Sequence, residues 1–94
     1  MRIYYMIRHK QAHTWLPYAT QRNQTSATLT DAQPPRLFTT PTAAQNALRW
    51  WCAGESYQRW KNDDSTLETR PVPERQQEEM EIIAVMLQYV ENRR

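Results

Sequence analysis

The sequence predicts an α+β domain: a small antiparallel sheet of three to four strands with one helix packed on one face. Two observations carry this reading. Ile3 to Ile7 (Ile-Tyr-Tyr-Met-Ile) is apolar on both alternating faces and rich in β-branched and aromatic residues, which suits a strand covered on at least one side. Residues 40–54 read as a helix with both ends marked. Thr40 stands where an N-cap belongs and Pro41 at the first helical position, where its missing N–H costs nothing. Gly54, the single glycine of the chain, stands where a left-handed C-terminal cap is wanted.

In chain order, the first strand is predicted over 2–8. Residues 8–13 are polar and form a turn, and a returning strand is predicted over 14–19. Pro17 donates no backbone hydrogen bond, so that strand belongs at an edge or ends early. Residues 20–34 form a polar excursion in which Ala27 to Thr30 could add a brief strand, and 36–38 is a third short strand. The helix is predicted over 41–53. At 100° per residue Ala44, Ala47, Leu48 and Trp51 fall on one stripe with Cys52 beside it, and Asn46 and Arg49 lie opposite. Trp50 falls on the flank, which makes Trp51 a core residue and leaves Trp50 outside the stripe.

A second polar excursion covers about 56–73 and ends in Arg70-Pro71-Val72-Pro73, where each proline pushes its predecessor toward extended geometry. The final apolar segment fits two patterns. As a helix it places Met80, Ile83, Met86, Leu87 and Val90 on one face. As a strand it places Ile83, Val85, Leu87 and Tyr89 on one face and Ile82, Ala84 and Met86 on the other.

Ninety-four residues make a single domain, 1–94, with one modest core. Four Trp, five Tyr and one Phe must supply much of its buried area. No apolar run approaches the ~20 residues a membrane-spanning helix needs, and the start of the chain is too short and too soon charged for a secretory signal. Cys52 is alone, so no internal disulfide forms and an intracellular setting fits. The net charge of +2 is divided unevenly: residues 1–50 carry six basic groups and one acid, residues 51–94 six basic groups and nine acids. The first half could therefore meet a phosphate backbone or an acidic protein surface.

Catalytic chemistry finds little support. His9 and His13 have a chelating spacing only on a helix, and they fall in a predicted turn. Cys52 sits at a helix C-terminus, where the dipole opposes a thiolate. The acids at 63–64 and 78–81 occupy polar sequence with no desolvating pocket in view. One glycine cannot build a glycine-rich phosphate cradle. The expectation is a protein that is not an enzyme and uses no cofactor and no metal.

Several blocks occur in a familiar order. They are Ile7-Arg8-His9-Lys10, Trp15-Leu16-Pro17, Pro35-Arg36-Leu37-Phe38-x-Thr40-x-x-Ala43-Ala44-x-x-Ala47-Leu48-x-x-Trp51-x-x-Gly54 and Arg75-x-x-x-x-Met80-Glu81-Ile82. Together they resemble a family of small accessory proteins of tailed phages and prophages, for which no catalytic residues are carried over. Family members usually have a Thr-Gly turn after Arg-His-Lys, where this chain has Gln11-Ala12-His13-Thr14. The resemblance implies a strand over 80–90 and a phage gene product acting in the bacterial host cytoplasm. With that strand added, the expected core is Ile3, Tyr5, Ile7, Leu37, Phe38, Ala44, Ala47, Leu48, Trp51, Ile83, Val85 and Leu87.

Three binding readings follow. The first is a non-catalytic module that binds a host protein or protein complex, such as an inhibitor of a host defence system of anti-CRISPR or anti-restriction type. Its candidate contact residues are Arg49, Trp50, Tyr57 and Trp60, with Arg8 and Lys10 from the basic half, because Trp and Arg dominate binding hot spots. A net charge of +2 does not fit imitation of DNA, so the module would act by steric blockade. The second is nucleic-acid binding by the first half, with Tyr4, Tyr5, Trp15 and Tyr18 stacking bases and Arg2, Arg8, Lys10 and Arg22 neutralising phosphates. The third is a homodimer whose exposed strand pairs with itself across an edge. None involves a membrane.

Overall fold

The computed structural model describes residues 2–18, 24–61 and 64–88. Four strands and one helix follow in the order β1 (Arg2–His9), α1 (Pro41–Ala53), β2 (Glu55–Lys61), β3 (Asp64–Arg70) and β4 (Met80–Leu87). The class is α+β as expected, but the single sheet of three to four strands is corrected to two sheets of two strands. β1 pairs antiparallel with β4, and β2 with β3.

The predicted strands at 14–19 and 36–38 do lie beside β1, reduced to isolated bridges. Tyr5 exchanges both backbone hydrogen bonds with Phe38 (2.9 and 2.8 Å), and Leu16 N–H donates to the Ile7 carbonyl. Trp15 also bridges Thr30, and Pro17 bridges Pro35. Proline at both members of that last bridge removes the donors a ladder needs there. Residue 19 of the predicted strand lies outside the described residues.

The polar stretch after α1 folds as the β2–β3 hairpin, where sequence reading expects a long excursion. Its strands carry little alternating apolar character, and charge supplies part of the cross-strand complementarity. Arg70 Nη2 donates to Glu55 Oε2 at 2.9 Å, and Arg59 reaches Glu68 at 3.7 Å. Gly54 has φ +128° and ψ −171°, outside the left-handed cap region expected of it. Its lack of a side chain lets the Arg70 carbonyl approach, because a Cβ at this position would stand 2.1 Å from that oxygen.

α1 has the bounds its caps predict. The Thr40 side chain accepts the Ala43 amide at 3.1 Å, and Ala44, Leu48 and Trp51 are buried. The core joins them to Ile7, Leu16, Phe38 and Met80, with Tyr5, Ala47 and Ile82 packed against it. Ile3 and Leu87 are exposed, and Ile83 and Val85 stand outside that cluster. The register explains the difference. Ile7 lies opposite Ile82 and Tyr5 opposite Ala84, so the even-numbered residues of β4 share the helix-facing side with the odd-numbered residues of β1. Both faces of β4 are apolar, and only this pairing decides which of them meets the helix.

Candidate partner-binding surface

The end of α1 sorts two neighbouring tryptophans. Trp51 is 5% exposed and its Nε1 donates to the Ala27 carbonyl at 2.9 Å. Trp50, one step of about 100° further round the helix, is 63% exposed. Arg49 is exposed beside it, with Nη2 donating to Asn46 Oδ1 at 3.3 Å, one helical turn back. Two of the predicted contact residues, Arg49 and Trp50, are therefore adjacent and open to solvent.

The remaining candidates are distributed differently. Tyr57 and Trp60 are on β2, opposite Glu68 and Ser65 respectively, and their side chains lie outside the described residues. Arg8 is tied to Glu81, with Nε and Nη2 both donating to Oε1 at 2.8 and 2.6 Å. Lys10 donates its ammonium to the Glu78 carbonyl at 2.7 Å. Arg8 and Lys10 thus brace the junction of β1 with the turn before β4.

The base-stacking constellation is divided as well. Alternation along β1 sends Tyr4 and Tyr5 to opposite faces, and Tyr5 packs against the core. Trp15 donates its indole N–H to the Gln33 carbonyl at 2.6 Å. Tyr18 is exposed, and Arg22 lies outside the described residues.

The titratable groups show where chemistry is restrained. His9 accepts the amides of Gln11 and Ala12 on Nδ1, which leaves Nε2 to donate to Glu79 Oε2 at 3.0 Å. Both ring nitrogens hold the turn together, and His13 completes it with φ +59°. Among the described residues no group of three or more His, Cys, Asp and Glu side chains is placed to hold a metal ion. Cys52 is half-buried. Burial pushes its thiol pKa above the ordinary value, Glu78 adds to the rise and Arg75 opposes it. Such a thiol stays protonated near neutral pH and is a poor nucleophile.

The residue that sequence reading misses is Arg75, whose side chain is only 8% exposed. Its guanidinium lies 4.4 Å over the Trp51 ring. Nη1 donates to the carbonyls of Thr25 (2.6 Å) and Trp51 (2.9 Å), and Nη2 stands 3.6 Å from Glu55 Oε1. Thr25 also accepts the Ser56 amide on its hydroxyl at 2.8 Å. One cation thereby fastens the 3-10 turn Gln24–Ser26, the C-terminus of α1 and the start of β2. Burial lowers the Arg75 pKa and Glu55 opposes the fall; the guanidinium remains charged throughout the physiological range. Its only sequence signal is its place in the Arg75-x-x-x-x-Met80 block, which names a position without a role.

Comparison of the chain with family models, curated proteins and solved structures returns no match. Among the described residues no helix is long and apolar enough to cross a membrane.

Proposed function

We propose that this protein is a non-catalytic binding module that docks onto a partner protein through the C-terminal half of α1, with Trp50 as anchor and Arg49 beside it. The observation that carries the reading is the contrast between the two indoles. Trp51 and Arg75 secure the helix from below, so Trp50 adds nothing to the core and presents a large amphipathic surface to solvent. Buried on association, such a side chain contributes large apolar area and one directional N–H.

The resemblance to phage accessory proteins supports a bacterial host cytoplasm as the setting, and there the reading is of a host protein or protein complex, such as a defence system of anti-CRISPR or anti-restriction type, blocked sterically. The near-neutral net charge favours steric blockade over imitation of nucleic acid. The test is affinity capture from a lysate of the bacterial host with wild type and Trp50→Ala, followed by titration of the captured protein against both. A hot-spot tryptophan predicts at least about 2 kcal/mol, or roughly thirtyfold weaker binding, for the variant. Equal affinity for the two proteins removes Trp50 from the interface.

A further inference from the structure

We propose that two copies of this chain associate through the outer edge of β4, antiparallel and centred on Ala84, joining two β1–β4 ribbons into one four-stranded sheet. The backbone directions come first. Tyr5 gives both of its ladder bonds to Phe38, so its N–H and C=O point away from Ala84, its register partner on β4. The alternation of an antiparallel ladder then turns the N–H and C=O of Ile82, Ala84 and Met86 outward. Among the described residues nothing pairs with that edge.

The side chains do not protect it. Met80–Leu87 contains no Pro, Gly or Lys, and its one charge, Glu81, is already neutralised by Arg8 at 2.6 Å. Charges, prolines and bulges are the devices by which edges are kept from pairing, and apart from the paired Glu81 this edge has none of them. Such an edge suits an unbroken apolar strand without an unpaired charge, and the chain's own β4 is one. With Ala84 opposite Ala84, Ile82 meets Met86 of the second copy and Ile83 meets Val85. Every outward-pointing residue then faces another outward-pointing residue, as hydrogen-bonded pairs require. The smallest side chain of the strand sits on the two-fold axis, and each Glu81 lies opposite Leu87 instead of its own copy.

Shape agrees with this register. Tyr5, Pro41, Gln45, Ile82 and Ala84 line a shallow depression between the start of α1 and the sheet. Met86 is 61% exposed on the same side of β4. Pairing brings Met86 of the second copy opposite Ile82, at the rim of that depression, where a flexible thioether fills an irregular gap. The contact is isologous, so it closes at a dimer, and it leaves Trp50 free.

Sedimentation velocity over a dilution series tests the proposal with wild type, Ala84→Lys, Met86→Lys and Leu67→Lys. Wild type is expected to move from the 11.3 kDa chain mass to twice that value as concentration rises. Lysine at Ala84 or Met86, both exposed, should weaken dimerisation at least tenfold with an unchanged circular dichroism spectrum. Lysine at the exposed Leu67 of β3 should leave it unaltered. A wild-type mass that stays monomeric at the highest attainable concentration overturns the proposal. So does a dimer that tolerates both folded β4 variants as well as it tolerates Leu67→Lys.

Discussion

Replacing Arg75 with methionine tests whether the buried guanidinium holds the fold together. Methionine keeps much of the aliphatic stem against Trp51 and deletes only the charged fork. The Thr25 and Trp51 carbonyls then lose the charged donor, the Trp51 carbonyl keeping the Gly54 amide, and Glu55 retains its bond from Arg70. A hydrogen bond from a charged donor is worth about 1.5–3 kcal/mol net, and the stack on Trp51 adds about 0.5–2 kcal/mol. These contributions share one group and do not add in full, which sets the expected loss at about 3–5 kcal/mol, the range for breaking a buried ion pair. A chain of this size has roughly 5–14 kcal/mol in total, so the melting temperature should fall by at least ~12 °C. Urea titrations followed by circular dichroism and tryptophan fluorescence give the difference directly. Arg75→Lys retains charge without the planar fork and should recover less than half of the loss. A cost below about 1 kcal/mol for Arg75→Met would equal that of an exposed ion pair, and the clamp would then be incidental.

Other substitutions probe neighbouring parts of the same arrangement. Gly54→Ala places a methyl 2.1 Å from the Arg70 carbonyl oxygen at φ +128°. It should cost more than the ~1–3 kcal/mol of backbone strain alone, read as a lowered urea midpoint. Trp51→Ala should cost about 3–5 kcal/mol and Trp50→Ala less than about 0.5 kcal/mol; equal losses would mean that the two indoles share the core. Cys52 gives a pH signature. Its folded pKa is raised above the ordinary 9.0, so its contribution to stability is complete below pH ~9 and is lost as pH climbs through the folded value. Unfolding free energy should fall over that interval in wild type and fall less in Cys52→Ser.

The parts of the fold legible in the sequence are those set by local chemistry. α1 begins where Thr40 and Pro41 place it, because an N-cap and a proline act within a few residues of themselves, and it stops at Gly54 although that glycine does not take the left-handed conformation expected of a cap. Trp51 and Trp50 separate correctly because helical periodicity fixes both within one turn of the same element. Periodicity alone leaves helix and strand open for the last segment; β4 is a strand over Met80–Leu87 where 80–90 is expected, and residues 89–90 lie outside the described residues. Its core-facing side follows from register, and register is a property of two strands that one strand's alternation does not contain. That is why Met80 and Ile82 take the places expected of Ile83, Val85 and Leu87.

The hairpin and the clamp escaped for a related reason. β2 and β3 are held partly by cross-strand charges such as Glu55 with Arg70, whose meaning appears only once residues 15 apart are opposite each other. Arg75 reads in sequence as one more charge in a proline-flanked polar stretch, yet its partners are carbonyls at positions 25 and 51 and an aromatic face. Acceptors on the main chain leave no trace in residue identity. The candidate surface depends on both kinds of information. Helical geometry identifies Trp50 as the indole left outside the stripe, and the unforeseen clamp anchors α1 without it. Because Arg75 and Trp51 secure the helix end, the face carrying Arg49 and Trp50 can be altered at little cost to stability, and a loss of partner affinity in Trp50→Ala can be assigned to the interface itself.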